Sequence, residues 1–137
     1  SLVGSEMCIR DRAGDYVLSD ENDPGLNNRG FGALFLSQRI AIQPQKHYIF
    51  SGDLRTTKMM KGCNACLQLY FLDSEGRPLN SAQAAPRSHP IYTTSSWSNY
   101  QVNSRAPDLA ASVEARVFIG GGQGCVYIRD PNMQEIH

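Results

Sequence analysis

Short segments with a hydrophobic residue at every second position recur along most of this chain, and no segment shows sustained helical periodicity. Within residues 47–57, for example, Tyr48, Phe50 and Leu54 fall on one side of an extended strand. Such alternation predicts β-strands with one buried face, separated by turns rich in Gly, Pro and Ser. The predicted strands span residues 16–18, 33–42, 47–57, 66–72, 97–105, 112–120 and 125–128.

Many short strands joined by turns favour an all-β fold, a two-sheet antiparallel sandwich. The 137 residues are enough for one domain but too few for an enzyme with a separate cofactor domain. Residues 14–32 are polar and rich in turn residues, so we expect loops there around the strand at 16–18. The predicted core consists of Tyr48, Phe50, Leu54, Leu67, Leu69, Phe71, Val102, Val113, Val117, Val126 and Ile128.

The first residues, SLVGSEMCIRDR, do not look like a natural protein segment. Back-translated, residues 2–11 resemble a transposase-type sequencing adapter, and Arg12 fits the adapter's next bases. We therefore expect residues 1–12 to be an adapter-derived artefact and residues 13–137 to be a β-sandwich module truncated at its N-terminus. Chance translation has no reason to complement a core, although a sheet edge without its first strand invites pairing.

The charge balance argues against partners that are bound mainly by electrostatics. Lys and Arg total 13 and Asp and Glu total 13, so the formal net charge is zero. Neither nucleic acid nor an anionic membrane surface attracts a neutral chain strongly. No apolar run approaches the ~20 residues that span a bilayer. We expect neither nucleic acid nor membrane among the partners.

Motifs for catalysis or metal binding are weak. The glycine-rich segment 120–124 is followed by a strand and no lysine, which predicts a hairpin turn rather than a phosphate-binding loop. Cys63 and Cys66 form one C-x-x-C pair, but a structural zinc usually takes two such pairs, and Cys125 alone remains once Cys8 is set aside with residues 1–12. A disulfide among these three would suit an exported protein. No G-x-S-x-G motif accompanies the Ser, His and Asp residues.

The strand positions that alternate with the predicted core carry arginine, aspartate, amide and aromatic side chains. Sugars need this mixture, because polar groups bond to hydroxyls while flat rings cover the C–H faces. An ordinary polar outer face explains the same pattern equally well. The outward candidates are Asp53, Arg55, Thr57, Gln68, Tyr70, Gln101, Asn103, Arg105, Glu114, Arg116 and Phe118.

Several motifs also follow one another in the order found in a known family. QRI and then HYIFSG within residues 38–52, LQLYFLDSEG at 67–76, Trp97 with Ala106-Pro107, and GCVYIRD at 124–130 are the segments concerned. In order and spacing they resemble jelly-roll carbohydrate-binding modules of the xylanase and cellulase type, which have a galactose-binding-like fold. The resemblance covers about residues 28–133.

The resemblance implies a jelly roll that binds polysaccharide or oligosaccharide on a concave sheet face without catalysing a reaction. It further implies a glycoside hydrolase or lyase domain in the same full-length chain, and a secreted or cell-surface location. On this basis residues 13–137 are a carbohydrate-binding-like module, on whose strands around Asp53, Tyr70 and Arg116 we expect one shared groove. The carbohydrate-binding candidates are Asp53, Arg55, Gln68, Tyr70, Arg116 and Phe118.

The resemblance has two further implications. Family members often carry a structural calcium, for which the closing motif offers Asp130, since Arg129 replaces the second acid of the motif. Trp97 resembles a packing residue beside the long polar loop at 79–96, and stacking on a sugar is its alternative role.

Two other functions stay open. One is a structural or adhesive β-sandwich domain of a surface protein, which would have no sugar groove. The other is a small jelly-roll polysaccharide lyase, because such enzymes combine a Tyr or His base with Arg or amide groups that neutralise a uronate. Arg55, Gln68, Tyr70 and Arg116 would supply those groups.

Overall fold

The computed structural model describes residues 8–11, 16–18 and 23–136, and these consist of strands, turns and one 3₁₀ turn at Ala82–Ala84. The strands in chain order are β1 (Cys8–Asp11), β2 (Tyr16–Leu18), β3 (Pro24–Asn28), β4 (Ala33–Ala41), β5 (His47–Thr57), β6 (Asn64–Leu72), β7 (Ser95–Arg105), β8 (Ser112–Gly120) and β9 (Gly124–Ile136). The predicted all-β fold is confirmed.

The strands form two antiparallel sheets around one apolar core. Four strands lie in the order β1-β4-β8-β6, and five lie in the order β2-β3-β9-β5-β7. Every residue of the predicted core is buried. Phe50 and Leu54 of one sheet and Leu67 and Leu69 of the other belong to the same apolar cluster. Burying each such side chain stabilises the fold by about 1.5–3 kcal/mol, so the core holds the two sheets together.

Strand bounds follow the hydrophobic alternation closely in the middle of the chain. β5 and β8 have the predicted bounds, and β4, β6 and β7 differ from prediction by one or two residues. β9 continues well beyond the predicted end at residue 128. It does so through an irregularity opposite β5 that accommodates Pro131, which has no N–H to donate to the sheet. Because the alternation of apolar and polar residues breaks at this bulge, the sequence pattern did not predict the second half of β9.

Within residues 14–32 the predicted strand at 16–18 is present as β2, but β3 corrects the prediction that the rest is loop. β3 contributes Leu26, which is fully buried, and pairs with β9 from Gly25 to Asn28. Asn28 is also buried, and its Nδ2 atom donates to the carbonyl oxygens of Gly30 and Gly32 at 3.1 Å and of Gly122 at 2.7 Å. This polar segment forms a strand because it pairs with β9. Its partner lies about a hundred residues away in the sequence, so local patterns could not predict the strand.

The long loop after β6 folds back along the free edge of that strand. Isolated bridges join Ala65 to Ile91, Gln68 to Arg87 and Leu72 to Pro78. The amide of Ser88 also donates to the carbonyl of Leu67 at 2.9 Å. The loop therefore satisfies backbone groups that an edge strand would otherwise leave open.

Residues 1–12 lie largely outside the described ranges. Their described part, β1, pairs antiparallel with β4 from Cys8 opposite Ser37 to Asp11 opposite Leu34. The edge position beside β4 is thus filled, and the adapter origin of residues 1–12, like the boundary at residue 13, stays a prediction. Over the described ranges, we find no helix with the length and apolar character needed to cross a membrane.

Candidate functional site

The structure separates the predicted carbohydrate-binding residues between the two sheets. Asp53 and Arg55 lie on β5, in the five-stranded sheet. The other four candidates lie on β6 and β8, in the four-stranded sheet: Gln68, Tyr70, Arg116 and Phe118. The outer faces of a sandwich point in opposite directions, so the prediction of one shared groove around Asp53, Tyr70 and Arg116 is wrong. Alternation determines which side chains point away from the core, but not to which sheet a strand belongs.

On the four-stranded sheet, Arg116 is enclosed by its neighbours. Its guanidinium carbon lies 3.9 Å from the ring centre of Tyr70 and 4.5 Å from that of Phe35. Its Nε and Nη2 atoms donate to Oε1 of Glu114 at 3.1 and 2.8 Å. Glu114 also accepts from Arg39 through Oε2 at 3.2 Å. Because only 12% of the Arg116 side chain is exposed, this guanidinium stabilises the protein's own surface.

Of the remaining candidates on this sheet, Gln68 is buried and Phe118 is partly buried against another ring. Gln68 is only 2% exposed, because the loop after β6 covers it, and its Oε1 atom has no hydrogen-bond partner in the structure. Phe118 packs against Phe35 with ring centres 5.5 Å apart. Beside Gln68, burial raises the pKa of Cys66 to about 11, and the effects of Arg87 and the Gln68 hydrogen bond oppose that rise. The prediction that Gln68 contacts solvent is therefore wrong.

The outer face of the five-stranded sheet is more open and brings together groups suited to sugars. We call it the Trp97 face, and it comprises Asp53 and Arg55 of β5, Trp97, Asn99 and Gln101 of β7, and Tyr127 and Arg129 of β9. The register places Asp53 between Asn99 and Arg129, and Arg55 opposite Tyr127. Side chains from three neighbouring strands thus form one continuous surface.

Two aromatic rings of the Trp97 face alternate with two guanidinium groups. The guanidinium carbon of Arg129 lies 4.0 Å from the Trp97 ring centre. That of Arg55 lies 4.7 Å from the Tyr127 ring centre and 5.6 Å from that of Trp97. Arg129 also forms an ion pair with Asp23 at 2.8 Å. These contacts hold the rings and cations in fixed relative positions.

Gly25 of β3 makes room for the Tyr127 ring. A Cβ atom at this position would lie 2.8 Å from Cε1 of Tyr127 and 2.9 Å from the carbonyl oxygen of Val126. Both distances are shorter than real Cβ atoms show, so only glycine leaves the ring where it is. One edge of the ring therefore lies over Gly25 of β3, and Arg55 is paired with Tyr127 from the other neighbouring strand, β5.

Amide groups on the edge strand β7 extend the Trp97 face. Nδ2 of Asn99 donates to Oδ1 of Asp53 at 3.1 Å, and Nε2 of Gln101 donates to Oδ1 of Asn99 at 3.4 Å. Asn99, Gln101 and Asn103 are all exposed. A planar amide has two donors and an acceptor, so this row retains capacity for hydroxyl groups of a ligand.

Trp97, Tyr127 and Arg129 were not among the predicted site residues. Trp97 was expected to pack beside the loop, but its ring is half-exposed on the outer face, between arginine side chains. A signal was available in the sequence, since residues 127 and 129 flank the predicted core positions Val126 and Ile128. Strict alternation therefore points Tyr127 and Arg129 outward.

The metal candidate Asp130 is exposed and has a φ of 55°, within the bulge of β9. Calcium takes six to eight oxygen ligands, usually from several acids, and Asp130 alone does not meet that requirement. Across residues 23–136, no three acidic, histidine or cysteine side chains cluster as a metal site. Calcium at Asp130 stays a prediction.

The three cysteines that were candidates for a zinc site or a disulfide are free and buried. Burial raises the pKa of Cys63 to about 11, and the neighbouring Cys125 adds to the rise. The thiols of Cys63 and Cys66 are therefore protonated at neutral pH, where a thiol is a poor nucleophile.

The chain matches no protein-family model and no curated protein, but several solved structures share its architecture. The CBM22-1 xylan-binding domain from Paenibacillus barcinonensis Xyn10C is 11% identical with a TM-score of 0.66, over 98% of this chain and 90% of that domain. A putative sugar binding protein from Bacteroides thetaiotaomicron is 13% identical with a TM-score of 0.60, over 98% and 89%. The enzymatically active domain of bacteriophage CBA120 tailspike protein 4 is 16% identical with a TM-score of 0.66.

The chain covers only 18% of that tailspike domain. The matches also include CBM22-1 with GH10 modules of Clostridium thermocellum xylanase 10B, at 11% identity and a TM-score of 0.60, over 98% of this chain and 26% of that one. Similarity at this level of identity shows the fold. It confirms the jelly-roll architecture that the sequence motifs predicted, and the similar structures are mainly carbohydrate-binding modules.

Proposed function

We propose that the Trp97 face binds a polysaccharide or oligosaccharide, and that this module has no catalytic activity of its own. The observation that carries the proposal is the combination of two half-exposed rings, Trp97 and Tyr127, with exposed amides on one continuous sheet surface. The rings offer flat apolar area to the C–H faces of sugars, and the amides and Asp53 offer hydrogen bonds to hydroxyl groups. The confirmed jelly-roll fold supports the proposal.

Binding would need little rearrangement of the protein. The ring of Trp97 is already held by Arg55 and Arg129, and Asn99 is already bonded to Asp53. A sugar chain that displaces water from this surface orders few protein side chains, which lowers the entropic cost of binding. An open face still buries only one side of the ligand, so we expect modest affinity.

The outer face of the four-stranded sheet is the weaker candidate. The guanidinium of Arg116 is committed to Glu114 and to two aromatic rings, and Gln68 is covered by the loop after β6. A ligand there would have to displace existing contacts rather than water. The same separation argues against the lyase alternative, because Arg55 lies on one outer face and Tyr70 and Arg116 lie on the other.

A module of this kind would act by keeping a partner close to its substrate. We propose that the full-length chain includes a catalytic domain, a glycoside hydrolase or lyase, and is secreted or displayed at the cell surface. One similar structure, the xylanase 10B pair, joins a module of this fold to a GH10 module. Tethering raises the effective concentration of an enzyme at an insoluble polymer even when affinity is modest.

Matched substitutions on the two faces test the proposal. Isothermal titration would compare the wild type, Trp97→Ala and Tyr70→Ala against soluble xylan, β-glucan, alginate and carrageenan oligomers. We expect at least one oligomer to bind, Trp97→Ala to weaken that binding about fivefold or more, and Tyr70→Ala to leave it unchanged. Loss of binding in Tyr70→Ala alone would move the site to the four-stranded sheet. Failure of the wild type to bind any glycan on an array would favour the structural or adhesive alternative.

A further inference from the structure

A cavity of about 500 Å³ opens at the end of the sandwich where β3 and β5 finish and β9 begins. We call it the end pocket, and it is lined by Asn27, Asn28, Arg29, Lys58, Met60, Gln123, Gly124 and Cys125. Its volume lies within the range of about 300–1,000 Å³ that is typical of small-molecule sites.

Hydrogen bonds fix the walls of the end pocket relative to one another. The buried Asn28 side chain donates to carbonyl groups of two loops, the one between β3 and β4 and the one between β8 and β9. Nε2 of Gln123 donates to the carbonyl of Arg29 at 3.2 Å, and the amide of Met60 donates to the carbonyl of Gln123 at 2.9 Å. These hydrogen bonds therefore hold the three loops around the pocket together.

The end pocket has one lysine in its lining, Lys58, and a second lysine, Lys61, follows in the same loop. The loops at 58–63 and 121–123 contain no acidic residue. None of the described residues that line the cavity is an aspartate or a glutamate. A lysine in a concave site whose described lining contains no acid attracts anions.

The polar and apolar groups beside the cations are suited to a sugar ring. The amide side chains of Asn27 and Gln123 line the cavity, and Met60 is 58% exposed at its rim. Lys58 has a φ of 55°, a left-handed conformation that is uncommon for lysine and that places it at the turn out of β5. The pocket thus combines a cation, hydrogen-bonding amides and an accessible apolar side chain.

The end pocket continues the Trp97 face. Asn27, Cys125 and Thr57 are paired across β3, β9 and β5, and the next outward row on the same strands is Gly25, Tyr127 and Arg55. Two residues along a strand correspond to about 7 Å. A glycan that covers the Tyr127 ring therefore reaches the pocket without leaving the surface.

We propose that the end pocket binds the anionic group of an acidic sugar, a carboxylate or a sulfate ester, next to the glycan held by the Trp97 face. Lys58 pairs with the anion, and the amides of Asn27 and Gln123 bond to neighbouring hydroxyl groups. The glycan context rests on the proposed function above, whereas the anion preference rests on the pocket itself.

The test titrates the protein with glucose, glucuronate and glucose 6-sulfate, each followed through backbone amide chemical shifts in NMR spectra. We expect the two charged sugars to shift the amides of Gln123 and Gly124 and glucose to shift them far less. Lys58→Gln should weaken binding of the charged sugars about threefold to fivefold, and Lys58→Arg should restore it. Added salt should weaken binding in the wild type as well. Comparison of glucuronate with the sulfate ester identifies which anion the pocket prefers.

Lys46→Gln is the matched control, because Lys46 is an exposed lysine in the turn before β5, at the opposite end of the sandwich. Equal binding of glucose and both charged sugars to the wild type, or equal binding of the charged sugars to the wild type and Lys58→Gln, would overturn the inference. The Trp97→Ala variant separates it from the proposed function. Glucuronate binding that survives in Trp97→Ala, in a protein that binds no oligosaccharide, would support the pocket and reject the Trp97 face. Oligosaccharide binding that is lost in Trp97→Ala but is equally strong for neutral and charged sugars would support the Trp97 face and reject the pocket.

Discussion

Replacing Gly25 with alanine should displace the Tyr127 ring of the Trp97 face. Alanine is compatible with the backbone at this position, because Gly25 does not have a positive φ. Its Cβ, however, would lie 2.8 Å from Cε1 of Tyr127 and 2.9 Å from the carbonyl oxygen of Val126. The ring must move away, and it can do so only by leaving its position against Arg55, whose guanidinium lies 4.7 Å from the ring centre.

The expected change in the free energy of unfolding has three contributions, of which two are destabilising and one is stabilising. Overpacking of this kind costs about 1–3 kcal/mol, and loss of a half-exposed cation–π contact adds about 0.5–1 kcal/mol. The lower entropy of the unfolded alanine chain offsets about 0.4–1 kcal/mol. We therefore expect the free energy of unfolding in urea to fall by ~2 kcal/mol, and the affinity for a bound oligosaccharide to fall about fivefold because the ring is displaced.

Two comparisons make the attribution to Tyr127 strict. Gly30→Ala is the matched control, since a Cβ at Gly30 meets no atom within 4 Å, and it should leave both quantities unchanged. In a Tyr127→Ala background, Gly25→Ala should cost less than in the wild type, because the ring is gone and only the close contact with the Val126 carbonyl oxygen remains. If Gly25→Ala is as stable as the wild type, or costs the same in both backgrounds, then β3 and β9 do not have the register described here.

Three further predictions concern the rest of the molecule. Phe71→Ala should lower the free energy of unfolding by about 3–5 kcal/mol in a denaturant titration, and a loss below ~1 kcal/mol would contradict its place in the core. Glu114→Ala should cost about 3 kcal/mol, because it leaves the guanidinium of Arg116 buried without its acid, yet glycan affinity in calorimetry should not change on the opposite face. Stability should decline from about pH 9 towards pH 11, because folding raises the pKa of Cys63 and Cys66 from 9.0 to about 11 and the unfolded chain releases those protons first. The decline should shrink in Cys66→Ala, and a flat profile over this range would contradict the burial of the thiols.

Much of the fold could be predicted because a strand with one buried face has an apolar residue at every second position. The bounds of β5 and β8, and the burial of side chains such as Phe50 and Val117, follow directly from that alternation. β3 shows almost none of it, since Leu26 is its single large apolar residue and the pairing with β9 that stabilises it is distant in sequence. Local patterns cannot report energy that comes from a remote strand.

The candidate site was predicted less well for a related reason. Alternation distinguishes inward from outward positions, so Asp53, Arg55 and Arg116 were correctly placed on outer faces. A sandwich has two outer faces, and the choice between them depends on which strands pair, which is a property of the whole topology. Coverage by a loop is equally non-local, and this is why Gln68 could not be identified as a buried residue.

The position of β9 has a consequence for how the protein forms during synthesis. Strand β9, the last of the described strands in chain order, lies in the middle of the five-stranded sheet, between β3 and β5. At about 5–20 residues per second, β3 emerges roughly 5–20 s before its partner, and the hydrogen-bonding edges of β3 and β5 wait unpaired for that time. Exposed edges of this kind recruit other chains. The nascent chain is therefore vulnerable to aggregation until β9 emerges, and the surface formed by Trp97 and Tyr127 cannot form before then.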